Sequence, residues 1–166
     1  MTKRELAFKW ITYALCTLLL LFLRALLLGN WRLWGVLPFL PPIILACVVS
    51  LEESTPATIF GLVFGVCCDL FFHAPFPCLY TVSFTLAALT ALLLSKSVFQ
   101  QGFARVVANT FSTFFIVDLL SMLALATRSG TAFLPMLFFC LRETLVSCLL
   151  LVCYPLFFLI HRFYSI

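Results

Sequence analysis

Gly61, Gly65 and Asp69 recur at intervals of four residues within the apolar stretch 56–72. Residues four apart lie on one face of a helix, each a turn beyond the last. Two glycines on that face let another helix come close, because no Cβ holds it off. The close neighbour is either another part of this chain or the transmembrane helix of a partner. An aspartate on the same face costs about 2.5–3.5 kcal/mol at the centre of a bilayer, so it must turn to the bundle interior, a partner or water. It is either a satisfied structural group or a contact for a partner or ligand. Asp69 and His73 are also four apart, a spacing that suits two metal ligands, but no third and fourth ligand accompany them. His73 reads as an interface residue.

Other chemistry finds little material. The eight cysteines are Cys16, Cys47, Cys67, Cys68, Cys78, Cys140, Cys148 and Cys153, and none forms a C-x-x-C pair. Most lie in apolar runs, where cysteine behaves as a small hydrophobe. Neither a zinc site nor a disulfide framework is expected. Ser50, Ser83 and Ser121 have no nearby histidine to act as base, and no glycine-rich phosphate loop is present. The expectation is a non-enzymatic protein without cofactor.

The elements that carry these residues are membrane helices. The 166 residues are 64% hydrophobic and 10% charged, and the mean hydropathy is +1.21. A soluble domain of this size cannot hide so much apolar surface. The sequence therefore predicts an all-α, polytopic membrane protein: a single domain over residues 1–166 with about six transmembrane helices. The net charge of +4 marks topology rather than a nucleic-acid partner. Thr2, Lys3, Arg4 and Lys9 resemble the start of a signal peptide, but the apolar run that follows is too long, so a first transmembrane helix is expected.

The first crossing is expected at 8–28, followed by a headgroup-level turn with Trp31, Arg32 and Trp34. The second is expected at 36–51, its start bent by Pro38, Pro41 and Pro42. If it fails to span, the count falls to five. The third opens at Pro56 and ends near His73. The fourth covers 79–94 and the fifth 104–126. Arg142 and Glu143 are expected to break the last run into an interfacial or re-entrant piece over 133–141 and a crossing over 144–160. With six crossings, Lys3, Arg4, Lys9, Lys96, Arg105 and Arg162 share one side and Arg24, Arg32, Arg128 and Arg142 the other. The richer side is the cytoplasmic one by the positive-inside rule, which puts both termini in the cytoplasm.

A buried charge layer is also expected. Arg24, Asp69 and Asp118 all fall roughly 20–22 Å from the inner ends of their helices at 1.5 Å per residue. Arg24 should pair with Asp69 or Asp118, with Arg142 from the outer edge as the alternative partner.

In order along the chain stand Pro38 opening an apolar run to Leu51, the G-x-x-x-G-x-x-x-D-L of Gly61, Gly65, Asp69 and Leu70, the Asp-Leu-Leu of Asp118–Leu120, and Pro155 in the last helix followed by basic residues. This set resembles the MreD family of rod-shape membrane proteins, over nearly the whole chain and most strongly from Pro38 to Leu94. Two features depart from the family: the stretch His73–Pro77 replaces its small-residue turn, and Phe39 replaces the polar residue after the opening proline. The resemblance implies a fold like the six-helix substrate-binding subunits of energy-coupling-factor transporters. It implies a scaffold in the bacterial inner membrane that binds MreC and works with MreB, RodA and a penicillin-binding protein. The alternative is a substrate-binding subunit of a vitamin transporter of that type.

Overall fold

The computed structural model describes residues 3–28, 35–52, 55–72, 76–97, 103–129 and 133–165. The predicted headgroup turn with Trp31, Arg32 and Trp34, the residue His73 and the side chains of Lys96 and Arg128 lie outside what is described. The described secondary structure is helical. α1 spans Lys3–Leu23 and runs into a π-helical turn, Arg24–Leu28. α2 is Pro41–Leu51, α3 Thr55–Phe71, α4 Leu79–Ser97 and α5 Phe103–Ser129. α6 is Phe133–Cys148, and a 3₁₀ segment, Leu149–Cys153, leads into α7, Tyr154–Ser165. Helices are the expected outcome for so apolar a chain, because each one satisfies its own backbone groups where water is absent.

Three helical runs are long and apolar enough to cross a membrane: Arg4–Leu26, Phe103–Thr127 and Leu134–Tyr164. Three shorter apolar helices, Pro41–Leu51, Thr55–Phe71 and Leu79–Leu93, pack among them.

α2 is the axis of the bundle. Every residue from Pro41 to Ser50 is buried, and α3, α4, α5 and α7 surround the helix. Its eleven residues give roughly 16 Å at 1.5 Å per residue, about half of a ~30 Å hydrocarbon core. The chain over 37–40 is not helical, so the bent start expected from the prolines is a real break. Pro41 and Pro42 stand at the first helical positions, where a missing N–H leaves no bond unmade.

Unwound backbone inside a bundle is tolerated only where its polar groups find partners. Here the π-turn arginine donates from Nε to the Pro38 carbonyl at 3.2 Å. The Phe39 N–H donates to Ser147 Oγ at 2.9 Å. The Leu40 carbonyl accepts from Ile43 and Ile44.

The core around Ser50 and Asn109 is polar as well as apolar. Asn109 donates from Nδ2 to Ser50 Oγ at 2.8 Å, tying α5 to α2. Ser50, Thr110 and Thr113 each return a hydroxyl to a carbonyl four residues back, the usual way a helix absorbs such groups.

α6 corrects one expectation. The run does not break at Arg142 and Glu143, which sit mid-helix. Arginine and glutamate are good helix formers, and each has somewhere to go: Arg142 is exposed and Glu143 turns inward. The irregular segment comes later, at Leu149–Cys153, just before Pro155. A proline there removes one backbone donor and crowds the preceding turn, which tightens it into 3₁₀ geometry.

Candidate functional site

The face of Gly61, Gly65 and Asp69 is taken by α4 of the same chain. A Cβ on Gly61 would meet Ala88 Cβ at 3.0 Å and the Phe84 carbonyl oxygen at 3.1 Å. A Cβ on Gly65 would meet Thr81 Cα at 2.6 Å and the Tyr80 carbonyl oxygen at 2.9 Å. One turn on, Asp69 receives the first N–H groups of α4: Tyr80 N to Oδ1 at 3.0 Å and Thr81 N to Oδ2 at 2.8 Å. The Thr81 hydroxyl also donates to Oδ2, at 2.6 Å. The opening N–H groups of a helix have no partner within it. Asp69 therefore acts as a helix cap supplied by the neighbouring helix, and its negative charge suits the positive end of α4. Of the two readings open in the sequence, the structure shows the intrachain one for all three residues.

Asp69→Asn is accordingly expected to cost about 1–2 kcal/mol, since charge-assisted bonds weaken and one oxygen becomes a donor facing donors. Unfolding in detergent beside Thr81→Val, which removes only the hydroxyl bond, checks the ranking: Asp69→Asn should be the more harmful.

The charge layer forms differently from the expectation. Among the described residues no ion pair joins Arg24 to Asp69 or to Asp118. Asp69 is already satisfied by α4, and Arg24 serves the unwound stretch before α2. The Arg24 guanidinium lies 5.7 Å from the Phe39 ring centroid and 5.0 Å from that of Phe72, within cation–π range. The acid whose charge reaches it is Glu143. Arg142 is exposed and has no part in the layer. Asp118 accepts from Thr144 Oγ1 at 3.3 Å, and its charge acts on Glu143.

Asp118 and Glu143 open onto a cavity of about 480 Å³ between α5 and α6. Phe39 and Tyr80 contribute to its wall, with Ser121 and Met122 from α5 and Pro135 and Phe139 from α6. Among the described residues no group of three or more His, Cys, Asp or Glu is placed to hold a metal ion.

A second polar node lies at the opposite end of the bundle. Glu52, at the close of α2, forms an ion pair with Lys9 of α1. The same Glu52 Oε1 accepts the Tyr13 hydroxyl at 3.2 Å and lies 3.2 Å from His161 Nδ1 of α7. Thr12 Oγ1 and the Tyr164 hydroxyl, 3.1 Å apart, join α1 to α7 beside it. The start of α1 and the end of α7 thus meet at one end of the bundle. Sequence reasoning used Lys9 as a mark of the chain's basic start and of topology, and gave Glu52 no site role. Their pairing had no signal in spacing, because Glu52 and Lys9 belong to different helices.

No family model, curated protein or solved structure matches this chain.

Proposed function

We propose that the chain is a non-enzymatic scaffold of the bacterial elongation machinery. It binds MreC and helps link cytoplasmic MreB filaments to the peptidoglycan synthases, RodA and its penicillin-binding partner. In this reading it crosses the bacterial inner membrane several times, with both termini in the cytoplasm. One observation supports it above the others. Three of the residues that carry the resemblance to MreD, Gly61, Gly65 and Asp69, pack α3 closely against α4. The opposite face of α3 offers Ile59, Leu62, Val63, Val66 and Leu70 outward, an apolar strip suited to lipid or to a partner's transmembrane helix.

Co-purification from membranes tests the scaffold directly. MreC should be retained by the tagged chain, and Leu62 and Val66 changed to tryptophan should weaken retention while leaving the fold intact. Retention unchanged by both substitutions would remove α3 from the interface. Fusions at Ile166 test orientation: a cytoplasmic reporter should be active there, and activity of an export-dependent reporter instead would overturn the topology.

The cavity between α5 and α6 favours a second reading, a substrate-binding subunit of an energy-coupling-factor transporter. Retention of an ATPase and a coupling subunit in place of MreC would select it.

A further inference from the structure

The cavity between α5 and α6 has the volume of a small-molecule site, a class that runs from about 300 to 1,000 Å³. Its wall is mainly apolar and aromatic, with Phe39, Tyr80 and Phe139 among the lining side chains, and it contains two carboxylates and no lysine or arginine. The carboxylates of Asp118 and Glu143 are near enough to act on each other as like charges. Arg24 offsets Glu143 in part. Among the described residues no basic side chain gives Asp118 such relief. Its polar neighbours are the Thr144 hydroxyl and the Cys140 thiol, and no basic side chain among the described residues comes within ion-pair distance of it. The cavity thus gathers two carboxyl groups in an apolar setting, where an uncompensated carboxylate is costly.

We propose that this cavity binds an organic cation: an amine or quaternary ammonium carried on an apolar or aromatic body. The cationic head would sit between Asp118 and Glu143 and relieve their repulsion, and the aromatic rings add attraction for a cation. The apolar body would lie along Met122 and Phe139. A hard metal ion is the wrong occupant, since calcium takes six to eight oxygen ligands and this wall supplies two carboxylates among hydrocarbon. The inference holds under either reading of the function, because it concerns binding to the purified chain alone.

The test uses the full chain in a neutral detergent, with 2-phenylethylamine as probe and 2-phenylethanol as its uncharged counterpart. The amine should raise the thermal midpoint in a saturable way, and the alcohol at equal concentration should not. Asp118→Asn and Glu143→Gln should each weaken the amine's apparent Kd by roughly tenfold or more, as expected when one partner of a desolvated charge contact is lost. Asp118→Asn should fold at least as well as the parent without ligand, because it removes a repulsion; Glu143→Gln removes the same repulsion but also the charge that reaches Arg24, so its unliganded midpoint is measured beside the shift. Ser121→Phe, which fills the space and leaves both acids, should abolish the shift while circular dichroism stays helical. Three results would overturn the proposal. One is an equal shift with the alcohol, which marks an acyl-chain groove. Another is a shift that survives in the Asp118→Asn/Glu143→Gln double variant. The third is no shift with the amine at ten-millimolar concentration in the parent chain.

Discussion

Replacing Glu52 with leucine is expected to destabilise the fold by about 3–5 kcal/mol, the range for removing one member of a buried ion pair. The Lys9 side chain is 6% exposed and that of Glu52 13%, so neither charge has water as a substitute partner. One carboxylate oxygen serves Lys9, Tyr13 and His161 together. Without it the ammonium keeps, among the described residues, the Tyr13 ring, 5.9 Å to its centroid, which is worth less than a contact with a full charge. Lys9→Met alone should be milder, because Glu52 keeps Tyr13 and His161. The combination of Lys9→Met with Glu52→Leu should recover much of the loss, since no orphan charge remains. A double-mutant cycle on unfolding in detergent reads this coupling directly. If the double variant proves no more stable than Glu52→Leu, the charge was never the issue and the account fails.

Gly65→Ala should be the most damaging single-methyl substitution on α3. The added carbon would lie 2.6 Å from Thr81 Cα and 2.9 Å from the Tyr80 carbonyl oxygen. Both are backbone atoms, so no rotamer change can relieve the clash, and α4 must move away. The cost should reach about 3 kcal/mol, the upper end for an overpacked core. Movement of α4 would also pull Tyr80 and Thr81 from Asp69, so the loss should be non-additive with Asp69→Asn. Gly61→Ala should cost less: its new neighbours start at 3.0 Å, and the nearest is the side chain of Ala88. Leu62→Ala, on the exposed face, should cost least. Thermal midpoints for the three variants give the order, and a Gly65→Ala protein as stable as Leu62→Ala would refute the close-packed face.

The contrast between these two sites shows what a reader of the chain could see. The face of Gly61, Gly65 and Asp69 was legible because all three residues share one helix, and helical spacing alone aligns them. Its counterpart, the first turn of α4, is only a short connection away in the chain. The break before α2 was legible for a similar reason, since Pro38, Pro41 and Pro42 act on their own backbone. The node at Glu52 was not. Its partners come from α1 and α7, and no local rule says which helices meet.

The pairing foreseen for Arg24 failed on the same ground. The pairing rested on equal depth along the helices, but depth does not say which way each side chain turns around its helix axis. The break foreseen at Arg142 and Glu143 had another cause. A charge is costly to insert in lipid, yet that cost falls on the side chain and leaves the backbone free to stay helical.

The unwound stretch ahead of α2 carries a consequence for how the protein is made. The Phe39 N–H is satisfied by Ser147, 108 positions further along the chain. A ribosome adding roughly 5–20 residues per second needs about 5–20 s to supply that distance. The bond between Thr81 and Asp69, by contrast, spans 12 positions and closes within a few seconds of synthesis on the same scale. During the interval the stretch before α2 carries a backbone donor whose partner has not yet been made. Until α6 emerges that donor must be satisfied by water or by another protein. The most central helix of the bundle is therefore among the first to be synthesised and among the last to reach its final setting, and a chain released before α6 would have an unfinished core.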